Sequence, residues 1–122
     1  MRVYNKKIAT NVVLNAGRQT EAVELKNIYM YAITATITGT PTGTIKLQAS
    51  ADPLTNTTIP LDDSLPTNWV DVADSTFTVT AAGQNMWNVR EVAYNWVRVV
   101  YTDASGGTST AVMTIVVNCK GV

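Results

Sequence analysis

Hydrophobic and polar residues alternate along much of this chain, which is the pattern of β-strands that have one buried face. Apolar residues occupy every second position between residues 29 and 38, and the sequence 44–50 resumes the alternation after a Gly/Pro-rich break. The pattern predicts two strands joined as a β-hairpin across residues 39–43. The predicted inward positions are Tyr29, Tyr31, Ile33, Ala35, Ile37, Ile45, Leu47 and Ala49.

A second alternating pair lies in the last third of the chain. Residues 94–102 and 110–119 predict a closing hairpin across the turn at 103–107. The inward face of the last strand carries Met113, Ile115, Val117 and Cys119. Because a free cysteine packs as a small hydrophobe, we expect Cys119 to be a buried structural thiol.

Shorter alternating segments predict further strands at 6–10, 12–15, 22–25, 69–72, 76–80 and 86–89. No stretch shows sustained helical periodicity. About eight or nine short strands separated by frequent turns indicate an all-β protein, a single antiparallel β-sandwich or jelly roll.

The length of 122 residues predicts one domain, 1–122, with residues 29–122 as the body and residues 1–28 as N-terminal strands that could also serve as a docking arm. Residues 51–68 form a predicted loop that Pro and Asp interrupt repeatedly. Loops of this length are often functional, and a surface excursion without a role is the alternative.

The charge pattern is neutral and sparse. The chain has 9 basic and 9 acidic residues, and only 15% of its residues are charged, against about 25% in typical domains. No basic surface for nucleic acid is indicated, and no apolar run has the length of a signal peptide core or a membrane span. We therefore expect no nucleic-acid partner, no membrane contact, and synthesis in a cytoplasm.

Residues that could perform chemistry are few. The chain has no His and one Cys, so transition-metal sites and the usual nucleophile–base pairs lack their side chains. Calcium could use Asp52, Asp62, Asp63, Asp71, Asp74 and Asp103, but only Asp62 and Asp63 are adjacent and no EF-hand spacing surrounds them. The sequence predicts no catalytic residue, no metal, no cofactor and no enzyme activity.

Five aromatic residues on predicted strands have two interpretations. They are Trp69, Trp87, Tyr94, Trp96 and Tyr101. Aromatic residues on strands usually pack in the core, which we expect for Trp69 and Trp96. The alternative is that an exposed member of the set stacks on a carbohydrate.

A local basic cluster lies at the N-terminus. Arg2, Lys6 and Lys7 surround Tyr4. The cluster is either a solvated terminus or an assembly arm that grips an acidic or polar neighbour.

Three segments of the chain carry a resemblance to a known group. Residues 43–53 read Gly-x-x-x-Leu-Gln-x-Ser-x-Asp-Pro, residues 69–71 read Trp-x-Asp, and residues 94–101 read Tyr-x-Trp-Val-Arg-Val-x-Tyr. In this respect residues 29–119 resemble small virion proteins of tailed bacteriophages. These motifs are structural rather than catalytic.

The resemblance implies a non-enzymatic structural protein located in the virion and assembled in the host cytoplasm. Proteins of this kind occur as capsid decoration (cement) proteins, head fibres, and tail or neck components. The first expectation is a decoration protein that acts as a homotrimer and bridges neighbouring subunits of the major capsid protein. A tail, neck or head-fibre component is the alternative within the virion, and a carbohydrate- or receptor-binding module is the alternative of another class.

Overall fold

A computed structural model describes residues 3–53 and 66–121 of the chain. The described residues contain ten β-strands and no helix, so no helix there has the length and apolar character needed to cross a membrane. The strands are β1 (Val3–Val13), β2 (Arg18–Gln19), β3 (Val23–Glu24), β4 (Ile28–Thr38), β5 (Gly43–Ser50), β6 (Val70–Asp71), β7 (Phe77–Val79), β8 (Gly83–Val89), β9 (Trp96–Asp103) and β10 (Val112–Gly121).

The strands form two antiparallel sheets that pack as a β-sandwich. The four-stranded sheet has the order β1-β10-β4-β8. The six-stranded sheet has β9 and β5 at its centre, with β2 and β3 paired to β9 and β6 and β7 paired to β5. The predicted all-β sandwich is confirmed.

The chain changes sheet at most of its connections, and this order of strands is that of a jelly roll. The two predicted hairpins are therefore wrong. Strands β4 and β5 lie in different sheets, and so do β9 and β10. Two alternating strands can bury their apolar faces either side by side in one sheet or across the core from one another, and period-two alternation is the same in both cases.

The core lies between the sheets and consists of the inward positions of their central strands. The predicted inward residues Ile45 and Leu47 of β5 are buried, as are the four predicted positions of β10 that end at Cys119. Along β4, every second residue from Tyr31 to Ile37 is buried. These predictions of burial are confirmed.

Tyr29 is the exception on β4, because its side chain is 48% exposed. The β4–β10 ladder contains a register shift where Met30 pairs with Lys120 and Ile28 pairs with Gly121. At this irregularity one extra residue shifts the inward–outward alternation at the start of β4 by one position. The side chains there consequently point to the opposite faces from those that regular alternation predicts. Ile28 therefore points inward, and the prediction for Tyr29 is wrong.

The N-terminal strands also differ from the prediction. Residues 6–10 and 12–15 were expected as separate strands, but β1 spans Val3–Val13 and pairs with β10 across two register shifts. Asn11, at the second irregularity, has a φ of 48°, which Asn tolerates better than most residues. The later predicted strands at 22–25, 69–72, 76–80 and 86–89 correspond to β3, β6, β7 and β8.

Candidate functional site

The polar residues of the phage-like motifs meet on the outer face of the six-stranded sheet. The register pairs Gln48 of β5 with Arg98 of β9 on one side and with Asp71 of β6 on the other. Directly opposed residues in an antiparallel sheet point to the same face. Three segments that are distant in sequence thus place these side chains in one row across three strands.

Hydrogen bonds connect the whole row. The Arg98 guanidinium donates from Nε and Nη2 to Gln48 Oε1, at 3.0 and 2.8 Å. Gln48 Nε2 donates to Asp71 Oδ1 at 3.0 Å, and Lys46 Nζ lies 2.9 Å from Asp71 Oδ2. The Gln48 hydrogen bond, together with Lys46, lowers the pKa of Asp71 below its ordinary value.

Trp69 covers this row from outside. Its ring centroid lies 4.2 Å from the Arg98 guanidinium carbon, and its Nε1 donates to the Pro66 carbonyl at 2.9 Å. Trp69 is half-buried and lies outside the hydrophobic cluster between the sheets. The expectation of a core position therefore differs from the structure, because the ring packs on an outward-facing cation rather than between the sheets.

Asp52 joins the two chain segments that leave and re-enter the sheet at this end. Its Oδ2 accepts hydrogen bonds from the Thr67 and Asn68 backbone N–H groups at 2.8 and 3.1 Å, and its Oδ1 accepts from Asn68 Nδ2 at 3.0 Å. The Asn68 side-chain and backbone hydrogen bonds, followed by that of Thr67, lower the pKa of the Asp52 carboxyl. Residues 54–65 between these segments, which include the candidate ligands Asp62 and Asp63, lie outside the described residues.

The start of β9 is fixed to the same place. The Asp52 carbonyl accepts hydrogen bonds from Asn95 Nδ2 at 2.9 Å and from Trp96 Nε1 at 3.1 Å. The Asn95 N–H donates to the Ser50 carbonyl at 2.9 Å, and Ser50 Oγ accepts from the Asp52 N–H at 3.1 Å. We call this set of contacts the loop base, formed by Ser50, Asp52, Thr67, Asn68, Asn95 and Trp96.

Trp96 is buried at the loop base. Trp96 pairs with Ser50, and the alternation along β5 places Ser50 on the outer face of the sheet. Both residues are nevertheless buried. Trp96 belongs to no part of the hydrophobic cluster between the sheets. Its Nε1 donates to the Asp52 carbonyl instead, so the expected burial is present but its location differs from the expected core.

The other predicted aromatic residues pack inside the sandwich or against it. Trp87 and Tyr101 are buried in the core cluster, and Tyr94 packs at its margin. Trp87 Nε1 donates to the Ser75 carbonyl at 2.6 Å, and Tyr101 Oη donates to the Thr42 carbonyl at 3.1 Å. The rings of Trp87 and Tyr101 are therefore not available for stacking on a sugar.

A cleft lies beside the loop base at the end of the sandwich. It has a volume of about 370 Å³, and its lining residues are Ala49, Ser50, Ala51, Val70, Asp71, Val72, Ala73 and Tyr94. The Tyr94 hydroxyl forms a hydrogen bond with the Tyr31 hydroxyl at 2.5 Å. Burial raises the pKa of both phenols, so they remain neutral hydrogen-bonding groups at physiological pH.

The basic N-terminal cluster lies on β1 where the structure describes it. Lys6 Nζ is 2.9 Å from Glu21 Oε1, and this ion pair raises the pKa of Lys6. Lys7 is exposed, Tyr4 is half-buried, and Arg2 lies outside the described residues. The role of these residues as an assembly arm stays a prediction.

Among the carboxylates of the described ranges, Asp71 belongs to the outer row, Glu21 pairs with Lys6, and Asp103 serves a turn. No group of three or more His, Cys, Asp or Glu side chains comes together there. Asp103 accepts hydrogen bonds from the Ser105 hydroxyl at 2.6 Å and from the Ser105 and Gly107 N–H groups. This is the turn role that Asp commonly has.

Sequence reasoning did not single out Gln48, Asn68, Asn95 or Arg98 as site residues, and it considered Asp52 only as a candidate calcium ligand. The available signal for Gln48, Asp52 and Arg98 was that each is a polar residue specified by one of the phage-like motifs. A second indication is that Gln48 on β5 and Arg98 on β9 both occupy outward positions in the alternation of their strands. Their convergence depends on long-range strand pairing, which local patterns do not encode.

No protein-family model matches the chain, and no curated protein matches it. Among solved structures, the SPBc2 prophage-derived protein YomS is similar at 10% identity with a TM-score of 0.56, over 98% of this chain and 94% of YomS. A Bacillus endospore appendage protein follows at 13% identity and a TM-score of 0.48, over 98% and 88% of the two chains. The tobacco streak virus coat protein has 8% identity and a TM-score of 0.46, over 99% and 86%. The likeness to YomS shows a common fold.

Proposed function

We propose that this chain is a non-enzymatic structural protein of a bacteriophage virion, a decoration protein that bridges neighbouring subunits of the major capsid protein. The proposal rests on one observation: the polar motif residues bind one another and so hold the protein surface in place. Gln48, Asp71 and Arg98 hold one another on the outer face of the six-stranded sheet, and Asp52 holds the loop base. These contacts use the polar groups to fix a surface, which is what an assembly module requires.

The fold supports the same proposal. The similarity to the prophage-derived YomS extends over nearly the full length of both chains. A jelly roll presents two broad outer faces, and either of them can lie flat against a neighbouring protein.

The outer face of the four-stranded sheet is the better docking surface of the two. Its central positions are short and uncharged, and they are half-buried or, at Asn118, exposed: Ala32, Thr34, Thr36, Thr114, Val116 and Asn118. Interface cores are depleted of charged residues. The six-stranded sheet instead presents the Lys46–Asp71–Arg98 row, whose charges would have to be desolvated on docking.

The experiment is to add the purified chain to phage particles that lack it and to measure the bound copies per particle by quantitative mass spectrometry. Decoration requires saturable binding with a copy number comparable to that of the major capsid protein. Binding of a few copies would support a tail, neck or head-fibre component instead. Failure to bind any particle of the source phage would overturn the virion role.

Two matched variants identify the docking face. Thr34→Glu places a charge on the outer face of the four-stranded sheet, and Thr44→Glu places one at an equally half-buried outward position of the six-stranded sheet. We expect Thr34→Glu to abolish particle binding and Thr44→Glu to retain it. The native mass of the free chain tests the expected homotrimer.

A further inference from the structure

The edges of the two sheets differ in how they are protected. A strand at the edge of a sheet presents unpaired N–H and C=O groups that can accept another strand. In the described part of the chain, the four-stranded sheet ends in β1 and β8. The six-stranded sheet ends in β2 and β3 on one side and in β6 and β7 on the other.

Three of these edges have features that block strand addition. The edges of the six-stranded sheet are strands of two or three residues. Strand β1 is long, but it contains Lys6 and Lys7 and has two register shifts against β10. Short edge strands, lysines and bulges are the means by which natural sheets prevent edge-to-edge association.

Strand β8 has none of these features. It has seven residues, Gly83–Val89, with no charged residue and no proline. It pairs with β4 from Val89 to Gly83 without a register shift. Met86 at the centre of the strand is 60% exposed, so a large apolar side chain stands in solvent on an unprotected edge.

We propose that β8 pairs antiparallel with β8 of a second copy of this chain across a two-fold axis. The strand is self-complementary, since an uncharged strand brings no like charges opposite one another. With the axis at Met86, the two Met86 side chains bury one another, and Gln84 lies opposite Asn88 of the second copy. A two-fold contact needs only one surface, which pairs with itself.

The strand that pairs with β8 is β8 of the second copy rather than β1 of the second copy. Head-to-tail addition of β1 to β8 would set a bulged strand bearing Lys6 and Lys7 against a straight one. Pairing of β8 with itself joins two four-stranded sheets into a continuous sheet of eight strands. It also extends the outer face of the four-stranded sheet, which contains Thr34 beside Met86, across both copies.

This contact is independent of the proposed virion role, and it determines whether the number of chains in the oligomer is even. If three-fold contacts exist elsewhere on the molecule, β8 pairing joins two trimers into a hexamer; without them it makes a dimer. In either case the native mass corresponds to an even number of chains.

The test compares Met86→Lys with Val3→Lys by light scattering coupled to size exclusion. Both positions are exposed apolar residues on edge strands of the same sheet, at 60% and 61%. Met86→Lys sets two lysines against one another across the axis, so we expect its native mass to be half that of the wild type. Val3→Lys should keep the wild-type mass. A wild-type monomer or trimer, or a mass that Met86→Lys leaves unchanged, overturns the proposal.

Amide hydrogen exchange provides a second readout on the same samples. The β8 amides that face away from β4 should exchange slowly in the wild type and in Val3→Lys, and at least tenfold faster in Met86→Lys. Circular dichroism first establishes that each variant is folded. If the wild-type oligomer has an even number of chains but its outward β8 amides exchange rapidly, the contact between copies lies elsewhere. That result would also overturn the proposal.

Discussion

The guanidinium of Arg98 is held between a ring and an amide: its carbon lies 4.2 Å from the Trp69 ring centroid, while its Nε and Nη2 donate to Gln48 Oε1. A planar guanidinium can stack and form two hydrogen bonds at once, which an ammonium group cannot do. The arrangement joins β9, β5 and the segment before β6. It makes Arg98 the residue on which the outer row depends.

We therefore expect Arg98→Lys to be destabilising despite the retained charge. Loss of the stacking and of one hydrogen bond should lower the free energy of unfolding by about 1–2 kcal/mol. Urea denaturation followed by circular dichroism measures the change. Arg90→Lys is the control, because Arg90 is exposed after β8 and its replacement should have little effect. Equal stability of Arg98→Lys and the wild type would contradict this role.

Asp52 gives the loop base a dependence on pH. Its folded-state pKa is lowered from 3.8 by hydrogen bonds from Asn68 and Thr67. A lowered folded pKa means that the stabilisation is fully present above the unfolded value of about 3.8 and is lost as the pH falls through the folded pKa. Asp52→Asn should be less stable than the wild type at pH 7, and the difference should narrow below about pH 4.

The measurement is urea denaturation of both proteins at several pH values between neutrality and acid. Asp74→Asn is the matched control, since Asp74 is an exposed turn residue with a φ of 58°, a conformation that Asn also adopts. A difference for Asp52→Asn that stays constant with pH would show that the carboxylate contacts do not stabilise the loop base.

The inward positions of this fold were accessible from the sequence, and the pairing of its strands was not. Alternation along β5 and β10 identified buried residues such as Leu47 and Ile115 because the side-chain period of a strand is two. The same alternation cannot distinguish a hairpin from a crossing between sheets. The Gly39 turn therefore suggested a hairpin where the chain passes from one sheet to the other.

The outer row was not accessible for a related reason. Gln48 and Arg98 are 50 positions apart, and their contact exists only because β5 and β9 pair in one particular register. Trp69 was expected in the core because large aromatic residues usually are. Its place on Arg98 depends on that same register.

Gly43 permits the close approach of β5 to β9. A Cβ at this position would lie 2.2 Å from the Thr102 carbonyl oxygen and 2.7 Å from the Tyr101 hydroxyl oxygen. Backbone atoms cannot move away as a flexible side chain would, so Gly43→Ala must separate the two central strands. We expect a loss of about 3 kcal/mol in the free energy of unfolding.

Thermal and urea denaturation measure the effect of Gly43→Ala. Gly17→Ala is its control, because the nearest atom to a Cβ there is the Tyr101 carbonyl oxygen at an ordinary 3.7 Å. Similar stabilities of the two variants would mean that β5 and β9 can part without cost.

Ser75 links the two sheets at the side where β8 and β7 face one another. Its buried Oγ accepts the Leu47 N–H at 3.1 Å and donates to the Val72 carbonyl at 2.7 Å. Its carbonyl accepts the Trp87 Nε1–H at 2.6 Å. Ser75→Ala removes the acceptor of a buried N–H group, and an unsatisfied buried donor costs about 1–3 kcal/mol.

We expect Ser75→Ala to lower the free energy of unfolding by that amount, while Thr78→Ala, at an exposed position of β7, should change it little. The double variant with Trp87→Phe separates the two ends of the contact. Because the hydroxyl serves Leu47 and the carbonyl serves Trp87, the two losses should add if Ser75 remains in place. If the double variant loses less stability than that sum, losing the hydroxyl already displaces the Ser75 carbonyl from Trp87. If Ser75→Ala is as stable as the wild type, the Leu47 N–H finds another acceptor.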